Sequence, residues 1–313
     1  MKFSIIIPAY KDLFLKECID SIFAQTYSNF ELIIANDCSP YDIKNIVKQY
    51  SDSRIKYFKN EKRYGAVDLV KNWNHCLGHA TGDYVICMGD DDKLLPNCLS
   101  DYARIIEKYP NLDIYHMRAQ IIDEESNIIN IQEDRPDRES VYSMIWHFWY
   151  GKRRQFIGDW LFKTSSLKQN GGFFYTPCAW SSDDITAFIM AKEKGVANTH
   201  HFGFQYRSSC HTISRNNYAF DKVNAWLIVN NWYNDFFSLI PENKNDQLYR
   251  SLLKEKLKNY IYHHIYDKEI TKDLTVHPKH IFDWLNRRND IGSTRQIILG
   301  LFHTALKRKG LWI

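Results

Sequence analysis

Short, continuous runs of apolar residues alternate with helix-forming segments through the first 120 residues, and this alternation restricts the fold more than any other feature. The runs are FSIII (Phe3–Ile7), FELIIA (Phe30–Ala35) and YVICM (Tyr84–Met88). Continuous apolar runs are typical of strands that are buried on both faces of a parallel sheet. They therefore predict that the first part of the chain forms such a sheet.

The segments between these runs have helical periodicity. In LKECIDSIFAQ the apolar residues recur at helical spacing, at Leu15, Cys18, Ile19, Ile22 and Phe23. Further helices are predicted over Asp42–Tyr50, Val67–Ala80 and Pro96–Tyr109, the last with a proline suited to a first helical turn. This β-α-β-α order predicts an α/β fold, a Rossmann-like and mostly parallel sheet flanked by helices.

The rest of the chain is less regular. Short strands are predicted at Gln155–Phe162 and Gly203–Arg207, and a helix over Asp183–Lys194. Beyond Ala219 the pattern is almost wholly helical. We therefore predict one domain over residues 1–218, with halves 1–120 and 121–218, and a helical C-terminal extension over 219–313.

Composition limits the class of protein. A net charge of +4 is too small to indicate a nucleic-acid partner. The first residues lack the pattern of a signal peptide, and no apolar stretch approaches the roughly 18 residues of a membrane-spanning helix. Seven scattered cysteines without a CxxC pair indicate reduced thiols in a cytoplasmic protein. We expect Cys18, Cys76 and Cys87 to pack in the core.

Acidic residues follow two of the predicted strands. Asp37 follows the second strand, and the triplet Asp90–Asp92 follows Tyr84–Met88. Ligands of open parallel sheets bind beyond the carboxyl ends of the strands, where Pro8–Tyr10 would also lie. Adjacent carboxylates repel each other until a cation binds, so the triplet favours a metal site. The alternative is a solvated acidic loop or a helix N-cap.

A second acidic pair, Asp183 and Asp184, opens the predicted helix in SSDDITAFIMAKEKG. Acids at a helix N-terminus stabilise the helix through its dipole, which is one interpretation. The other is that one of the carboxylates is a general base. Trp180 lies just before the pair, where its ring would either stack on the apolar face of a ring-shaped ligand or pack beneath the loop.

Four segments of the chain resemble the family 2 glycosyltransferases, which have the GT-A fold, and occur in that family's order. They are SIIIPAYKD, CIDSIFAQTYSNFELIIANDCSP, ATGDYVICMGDDDKLLP and GGFFYTPCAWSSDDITAFIMAKEKG. The resemblance implies an inverting sugar transfer from a nucleotide-diphosphate donor, usually a UDP-sugar, with Mn²⁺ or Mg²⁺ as cofactor. It further implies a glycan or lipid-linked acceptor and a role in cell-surface polysaccharide synthesis.

The resemblance also implies roles for individual residues. Asp184 would be the base, Asp183 would orient the acceptor hydroxyl, and Asp91 and Asp92 would bind the metal. Gly89 stands where the family usually has the first aspartate of this motif. Nucleotide contacts are expected at Pro8, Ala9, Tyr10, Asp37, Arg63, Asn74 and Asp90.

Two later segments leave alternatives open. In YRSSCHTISRN, His211 is a candidate for an extra metal ligand or a solvated side chain. The C-terminal LGLFHTALKRKGLWI mixes basic and apolar residues, which suits peripheral membrane docking, a homodimer interface or a helix that completes the core. For the whole protein, the alternatives are a non-catalytic nucleotide-sugar-binding protein and a glycoside hydrolase that uses Asp91 and Asp184.

Overall fold

The computed structural model describes residues 1–209, 218–292, 294, 295 and 297–299. Ten strands in these residues form one sheet: β1 (Phe3–Ala9), β2 (Phe30–Asn36), β3 (Ile55–Lys59), β4 (Tyr84–Cys87), β5 (Lys93–Leu94), β6 (Ile114–Ile122), β7 (Ile128–Ile131), β8 (Arg138–Glu139), β9 (Trp160–Lys163) and β10 (Val196–Arg207). Their order is β3-β2-β1-β4-β9-β6-β10-β5, with β7 paired to β6 and β8 to β10. The predicted α/β sheet is therefore confirmed.

Helices account for most of the remaining described chain. Seven of them lie among the strands: α1 (Leu15–Phe23), α2 (Ile43–Val47), α3 (Leu69–Gly78), α4 (Cys98–Lys108), α5 (Val141–Trp149), α6 (Thr164–Gln169) and α7 (Ser182–Ala191). After residue 218 the described chain continues as α8 (Ala219–Phe236), α9 (Lys244–Tyr262), a π-helical segment (His263–Ile270), α10 (Thr271–Val276), α11 (Ile281–Asn286) and α12 (Arg288–Ile291).

The parallel half of the sheet has the predicted character. β1 pairs in parallel with β2 on one side and β4 on the other, and β2 pairs in parallel with β3. All seven residues of β2 are buried, because helices cover both faces of the sheet. Cys18, Cys76 and Cys87 are also fully buried, as expected.

One predicted strand is mostly wrong, and five strands were missed. The segment Gln155–Phe162 forms a single 3-10 turn at Ile157–Asp159 and becomes β9 only at Trp160. Asp159 closes this turn, because its Oδ2 accepts a hydrogen bond from the Phe156 N–H at 3.2 Å. The missed strands are β3, β5, β6, β7 and β8. β5 and β8 have only two residues each, and β6 carries His116 and Arg118 among its apolar residues, which hides its pattern.

The chain packs as two units. The first contains the described residues up to 175 and from 181 to 209, with the whole sheet. The second contains residues 176–180 and the described residues from 218 onward. The predicted domain boundary between 218 and 219 stays a prediction.

Aromatic side chains build the interior of the second unit. Phe220 stacks on Trp284 with ring centroids 4.1 Å apart, and Trp226 stacks on His264 at 4.0 Å. The predicted helical character beyond Ala219 is confirmed for the described residues. Among those residues, no helix combines the length and the apolar character needed to cross a membrane.

Candidate active site

The carboxyl ends of β1 and β4 are tied together by one carboxylate. Asp90 Oδ2 accepts hydrogen bonds from the backbone N–H groups of Tyr10 and Lys11, both at 2.7 Å. The loop after β2 joins the same edge, because Ser39 Oγ donates to the Tyr10 carbonyl at 2.5 Å. The three predicted loops therefore meet at one edge of the sheet.

The triplet folds back over Gly89. A Cβ on Gly89 would lie 2.8 Å from Asp91 Oδ1 and 3.0 Å from Asp92 Oδ2, so a side chain there would collide with both carboxylates. Asp92 is buried, and its oxygens accept from the Arg207 N–H at 2.9 Å and the Gly89 N–H at 3.3 Å. Asp91 is the most exposed of the triplet, at 13% of its side chain.

Two basic residues that the sequence reasoning missed hold this triplet. Lys11 Nζ lies 2.7 Å from Asp91 Oδ2 and 3.8 Å from Asp90 Oδ1. The fully buried Arg207 guanidinium donates from Nε to the Asp91 carbonyl at 2.9 Å. Lys11 directly follows the predicted Pro8–Tyr10 loop and belongs to the motif SIIIPAYKD. The motif alone did not indicate that Lys11 contacts Asp91.

Burial and mutual repulsion change the acidity of these groups. Burial raises the pKa of Asp90 to about 6 even though Lys11 is close. Burial and the neighbouring Asp91 raise the pKa of Asp92 well above its usual range. Burial opposes the charge on Lys11, but the three carboxylates together raise the pKa of its ammonium group. The triplet thus holds more negative charge than its surroundings stabilise.

The residues present fit a hard divalent cation. The space that a Gly89 side chain would fill is bordered by an oxygen of Asp91 and an oxygen of Asp92, and carboxylate oxygens are ligands that Mn²⁺ and Mg²⁺ accept. Within the described residues, no cluster of three or more His, Cys, Asp or Glu side chains could hold a metal. Mg²⁺ in proteins commonly keeps several water ligands and binds substrate phosphates through one or two carboxylates.

Asp37 organises the neighbouring loop. It is buried, and its Oδ1 accepts from the Tyr64 N–H at 2.8 Å while its Oδ2 accepts from the Gly65 N–H at 2.9 Å. In the same loop the Arg63 guanidinium lies 4.4 Å from the centre of the Tyr10 ring. Arg63 and Tyr10, both predicted nucleotide contacts, are thus neighbours, and the nucleotide roles of Asp37 and Arg63 stay predictions.

The structure gives a separate outcome for each of three further residues that were predicted at the site: Asn74, Trp180 and His211. Asn74 pairs with the backbone of Phe173, donating to its carbonyl at 2.9 Å and accepting from its N–H at 2.7 Å. This pairing gives Asn74 a structural role, and its nucleotide contact stays a prediction. Trp180 belongs to the second unit, where Lys222 Nζ lies 4.2 Å from its ring centre. His211 lies outside the described residues.

The second acidic pair lies at the start of α7. Asp184 is buried, and its Oδ1 accepts a hydrogen bond from Gln155 Nε2 at 2.9 Å. Burial and the neighbouring Asp183 raise the pKa of Asp184 well above its usual range, and the hydrogen bond from Gln155 opposes that rise. Burial raises the pKa of Asp183 to about 6. A buried carboxyl with a raised pKa is suited to accept a proton.

A buried polar cluster fixes the loop that carries Gln155. Gln132 Nε2 donates to Asp159 Oδ2 at 2.6 Å and to the Arg154 carbonyl at 2.9 Å, and Arg135 Nη2 donates to the same carbonyl at 3.0 Å. Burial raises the pKa of Asp159 to about 8. These contacts hold residues 154–159 rigidly, and Gln155, which the sequence reasoning placed in a strand, is aimed at Asp184.

Comparison with known proteins identifies the family. The sequence profile described as Glycosyl transferase family 2 matches residues 4–181, which is more than half of the chain. The chain belongs to this family. Membership of this family supports a sugar transferase and argues against the glycoside hydrolase alternative.

Curated relatives match between about 30% and 45% of the chain. EpsE of Bacillus subtilis (strain 168), which has a provisional glycosyltransferase name, is 36% identical over 127 residues, or 39% of this chain and 45% of that protein. The GalNAc(5)-diNAcBac-PP-undecaprenol beta-1,3-glucosyltransferase of Campylobacter jejuni is 36% identical over 102 residues, or 32% of each. The matched segment therefore spans less than half of either relative's length.

Solved structures match nearly the whole chain. S. aureus TarS 1-349 in complex with UDP-GlcNAc has a TM-score of 0.68 at 16% identity, covering 100% of this chain and 84% of that chain. The mannosyltransferase PcManGT from Pyrobaculum calidifontis, in complex with GDP-Man and Mn²⁺, has a TM-score of 0.52 at 14% identity, covering 97% and 79%. At these identities the likeness shows the fold, and the predicted GT-A architecture is confirmed.

Proposed function

We propose that the protein is an inverting, metal-dependent glycosyltransferase that moves a sugar from a UDP-sugar to a hydroxyl group of a glycan or lipid-linked acceptor. The observation that carries this proposal is the acidic triplet, anchored through Asp90 to the loop after β1 at the ligand-binding edge of a family 2 fold. A solvated acidic loop would not bury Asp90 and Asp92 to 6% and 3% exposure.

The leaving group explains why a cation is needed. A nucleoside diphosphate leaves with several negative charges, and these require electrostatic stabilisation in the transition state. A divalent cation held by Asp91 and Asp92 would supply that stabilisation as a Lewis acid. Asp90 keeps the loop after β1 in place beneath the nucleotide, and Asp37 holds the loop that carries Arg63.

Asp184 is the proposed base. Its carboxylate would take the proton of the acceptor hydroxyl as that oxygen attacks the anomeric carbon of the donor. With one base, a direct displacement and no covalent sugar intermediate, the configuration at that carbon inverts. Asp183, half-buried at the start of α7, would hold the acceptor hydroxyl in line.

The comparisons support the choice of donor and acceptor. One fold neighbour carries UDP-GlcNAc in its complex, and another carries GDP-Man with Mn²⁺. The Campylobacter jejuni relative is named for an undecaprenol-linked acceptor. From these we propose a UDP-sugar first and a GDP-sugar second, with a lipid-linked acceptor used at the cytoplasmic face of the membrane for surface polysaccharide synthesis.

Calorimetric titration tests the donor class. UDP, GDP, CMP and dTDP are each titrated with Mn²⁺ and again with EDTA. We expect selective UDP binding that weakens at least about 10-fold in EDTA, because a cation held by Asp91 and Asp92 would offset the negative charge of the diphosphate. Selective GDP binding would keep the transferase and change the donor. No binding of any nucleotide would overturn the proposal.

Replacing Asp91 with asparagine should remove the metal-dependent part of this affinity. Asparagine keeps the shape but loses the charge that attracts both the cation and Lys11. We expect UDP affinity in Mn²⁺ to fall by at least about 10-fold, to the level measured in EDTA. Asp20→Asn, on the exposed side of α1, is the matched control and should bind as the parent does. An unchanged UDP affinity of Asp91→Asn in Mn²⁺ would show that Asp91 is not a metal ligand.

Replacing Gln155 with leucine should shift the pH dependence of transfer. The base must be deprotonated, so the rate rises with pH through the pKa of Asp184. The Gln155 hydrogen bond stabilises the charged carboxylate and lowers that pKa. Its loss raises the pKa, so the acidic limb of the kcat profile should move to higher pH.

The exposed Gln169→Leu on α6 serves as the control for this measurement, because it makes the same change of side chain and leaves the hydrogen bond from Gln155 to Asp184 in place. A kcat profile of Gln155→Leu that superimposes on the parent profile would show that Gln155 does not act on the base.

A further inference from the structure

Lys11 is the side chain that distinguishes this triplet from an ordinary acidic cation site. Its ammonium group lies 2.7 Å from Asp91 Oδ2, and its side chain is 27% exposed. Its backbone is fixed separately, because the Lys11 N–H donates to Asp90 Oδ2 at 2.7 Å. The main chain and the ammonium group of Lys11 are therefore held by different carboxylates, so the flexible four-carbon stem could change partner without a movement of the main chain.

The other two carboxylates of the triplet, Asp90 and Asp92, accept hydrogen bonds from backbone N–H groups. One oxygen of Asp90 accepts from two N–H groups, and both oxygens of Asp92 accept from one each. Asp91 differs, because Oδ2 contacts the Lys11 ammonium and Oδ1 borders the space above Gly89. A divalent cation that reached Asp91 would meet an ammonium group at contact distance, and the two positive charges would repel each other.

We propose that the Lys11 ammonium is a built-in counter-ion of Asp91, which a divalent cation displaces and which then pairs with the diphosphate of the donor. This inference rests on the proposed function. A lysine is a compact positive charge that suits phosphate oxygens, and Lys11 lies on the loop after β1, at the edge where nucleotides bind. Lys11 would thus weaken metal binding to the free protein, and this weakening would be lost once the nucleotide is present.

Such an exchange makes metal and nucleotide binding cooperative. Without nucleotide, the cation must compete with Lys11 for Asp91. With nucleotide, the phosphates attract Lys11 away, so the cation binds without that competitor. Since coupling is reciprocal, the cation should raise the affinity for nucleotide by the same factor, and typical couplings are about 5- to 150-fold.

Titrations of Mn²⁺ followed by electron paramagnetic resonance test the inference without an activity assay. The full chain, Lys11→Met and the control Lys16→Met are titrated with Mn²⁺ alone and with saturating UDP. Lys16 is exposed on α1 and pairs with Asp20, so it controls for the loss of one charge. We expect Lys11→Met to bind Mn²⁺ alone about 10-fold more tightly, and the enhancement by UDP to shrink by about the same factor.

The outcomes separate this inference from the proposed function. An unchanged or weaker Mn²⁺ affinity in Lys11→Met overturns the displacement, and an undiminished enhancement by UDP overturns the pairing with phosphate. In both cases, Mn²⁺-dependent UDP binding by the parent chain leaves the proposed function standing. If the parent chain binds neither Mn²⁺ nor UDP, the proposed function fails and this inference fails with it.

Discussion

Asp184→Asn should abolish most sugar transfer and leave donor binding intact. A positioned general base contributes about 10²- to 10⁴-fold to a rate, and asparagine cannot take the acceptor proton. The substitution keeps the size of the side chain, and the amide oxygen can still accept from Gln155. We therefore expect kcat to fall by about 10²- to 10⁴-fold, while the affinity for UDP with Mn²⁺ stays within about twofold.

The measurement is the release of UDP from UDP-GlcNAc and UDP-glucose in the presence of a panel of alkyl glycosides. Asp183→Asn is the matched control, because it neutralises the neighbouring carboxyl and should lower kcat less. Loss of nucleotide binding in Asp184→Asn would assign the residue to the donor site instead. A transfer rate of Asp184→Asn close to that of the parent would show that Asp184 takes no part in the chemical step.

Arg207→Met should destabilise the first unit more than any surface substitution. The Arg207 side chain is fully buried, and its guanidinium lies 4.1 Å from the Phe14 ring centre. It donates hydrogen bonds to three carbonyl oxygens and two side chains: Asp91 O, Asp123 O, Glu124 O, Ser126 Oγ and Glu17 Oε2, at 2.9 to 3.1 Å. Methionine fills much of the volume and leaves all five acceptors without this donor.

Each backbone acceptor left without a donor costs about 1–3 kcal/mol, so the loss of the three carbonyl contacts is expected to cost about 3–5 kcal/mol in total. For a unit of this size that corresponds to a fall in Tm of roughly 6 to 20 °C, measured by scanning calorimetry. Arg104→Met, at an arginine whose side chain is 67% exposed on α4, should shift Tm by only a degree or two. An Arg207→Met variant as stable as Arg104→Met would show that the network does not stabilise the fold.

A second measurement links this network to the site. Arg207 Nε holds the Asp91 carbonyl, so the backbone of the triplet loses a fixed point in Arg207→Met. Where the variant is folded at low temperature, its Mn²⁺-dependent UDP affinity should be weaker than that of the parent. If the destabilised variant bound UDP with the affinity of the parent, Arg207 would contribute to the stability of the fold and not to nucleotide binding.

Local pattern was sufficient for the elements that the sequence predicted correctly. In β1, β2 and β4 almost every side chain is buried, so a run of apolar residues was visible without knowledge of any partner. The helix α1 has one buried face, and its apolar residues recur at helical spacing. The segment at 155–159 was assigned incorrectly, because a buried aspartate that closes a turn leaves no periodic signal.

The missed site residues share a different property. Lys11 meets Asp91 across 80 positions of sequence, Arg207 meets the Asp91 carbonyl across 116, and Gln155 meets Asp184 across 29. Each is a single polar residue whose partner is defined by the packing of distant segments. Read alone, such a residue is most often solvated, so no local pattern marks it.

The sequence by itself determined that strands and helices alternate, and therefore that acidic residues placed just after β2 and β4 would gather at one edge of the sheet. That follows from chain direction alone, since the carboxyl ends of parallel strands lie together. Only the tertiary structure decided which carboxylates accept hydrogen bonds from backbone N–H groups and which one, Asp91, pairs with the ammonium group of Lys11. Those contacts depend on how the loops close over one another, and loop closure is set by packing between segments far apart in the chain.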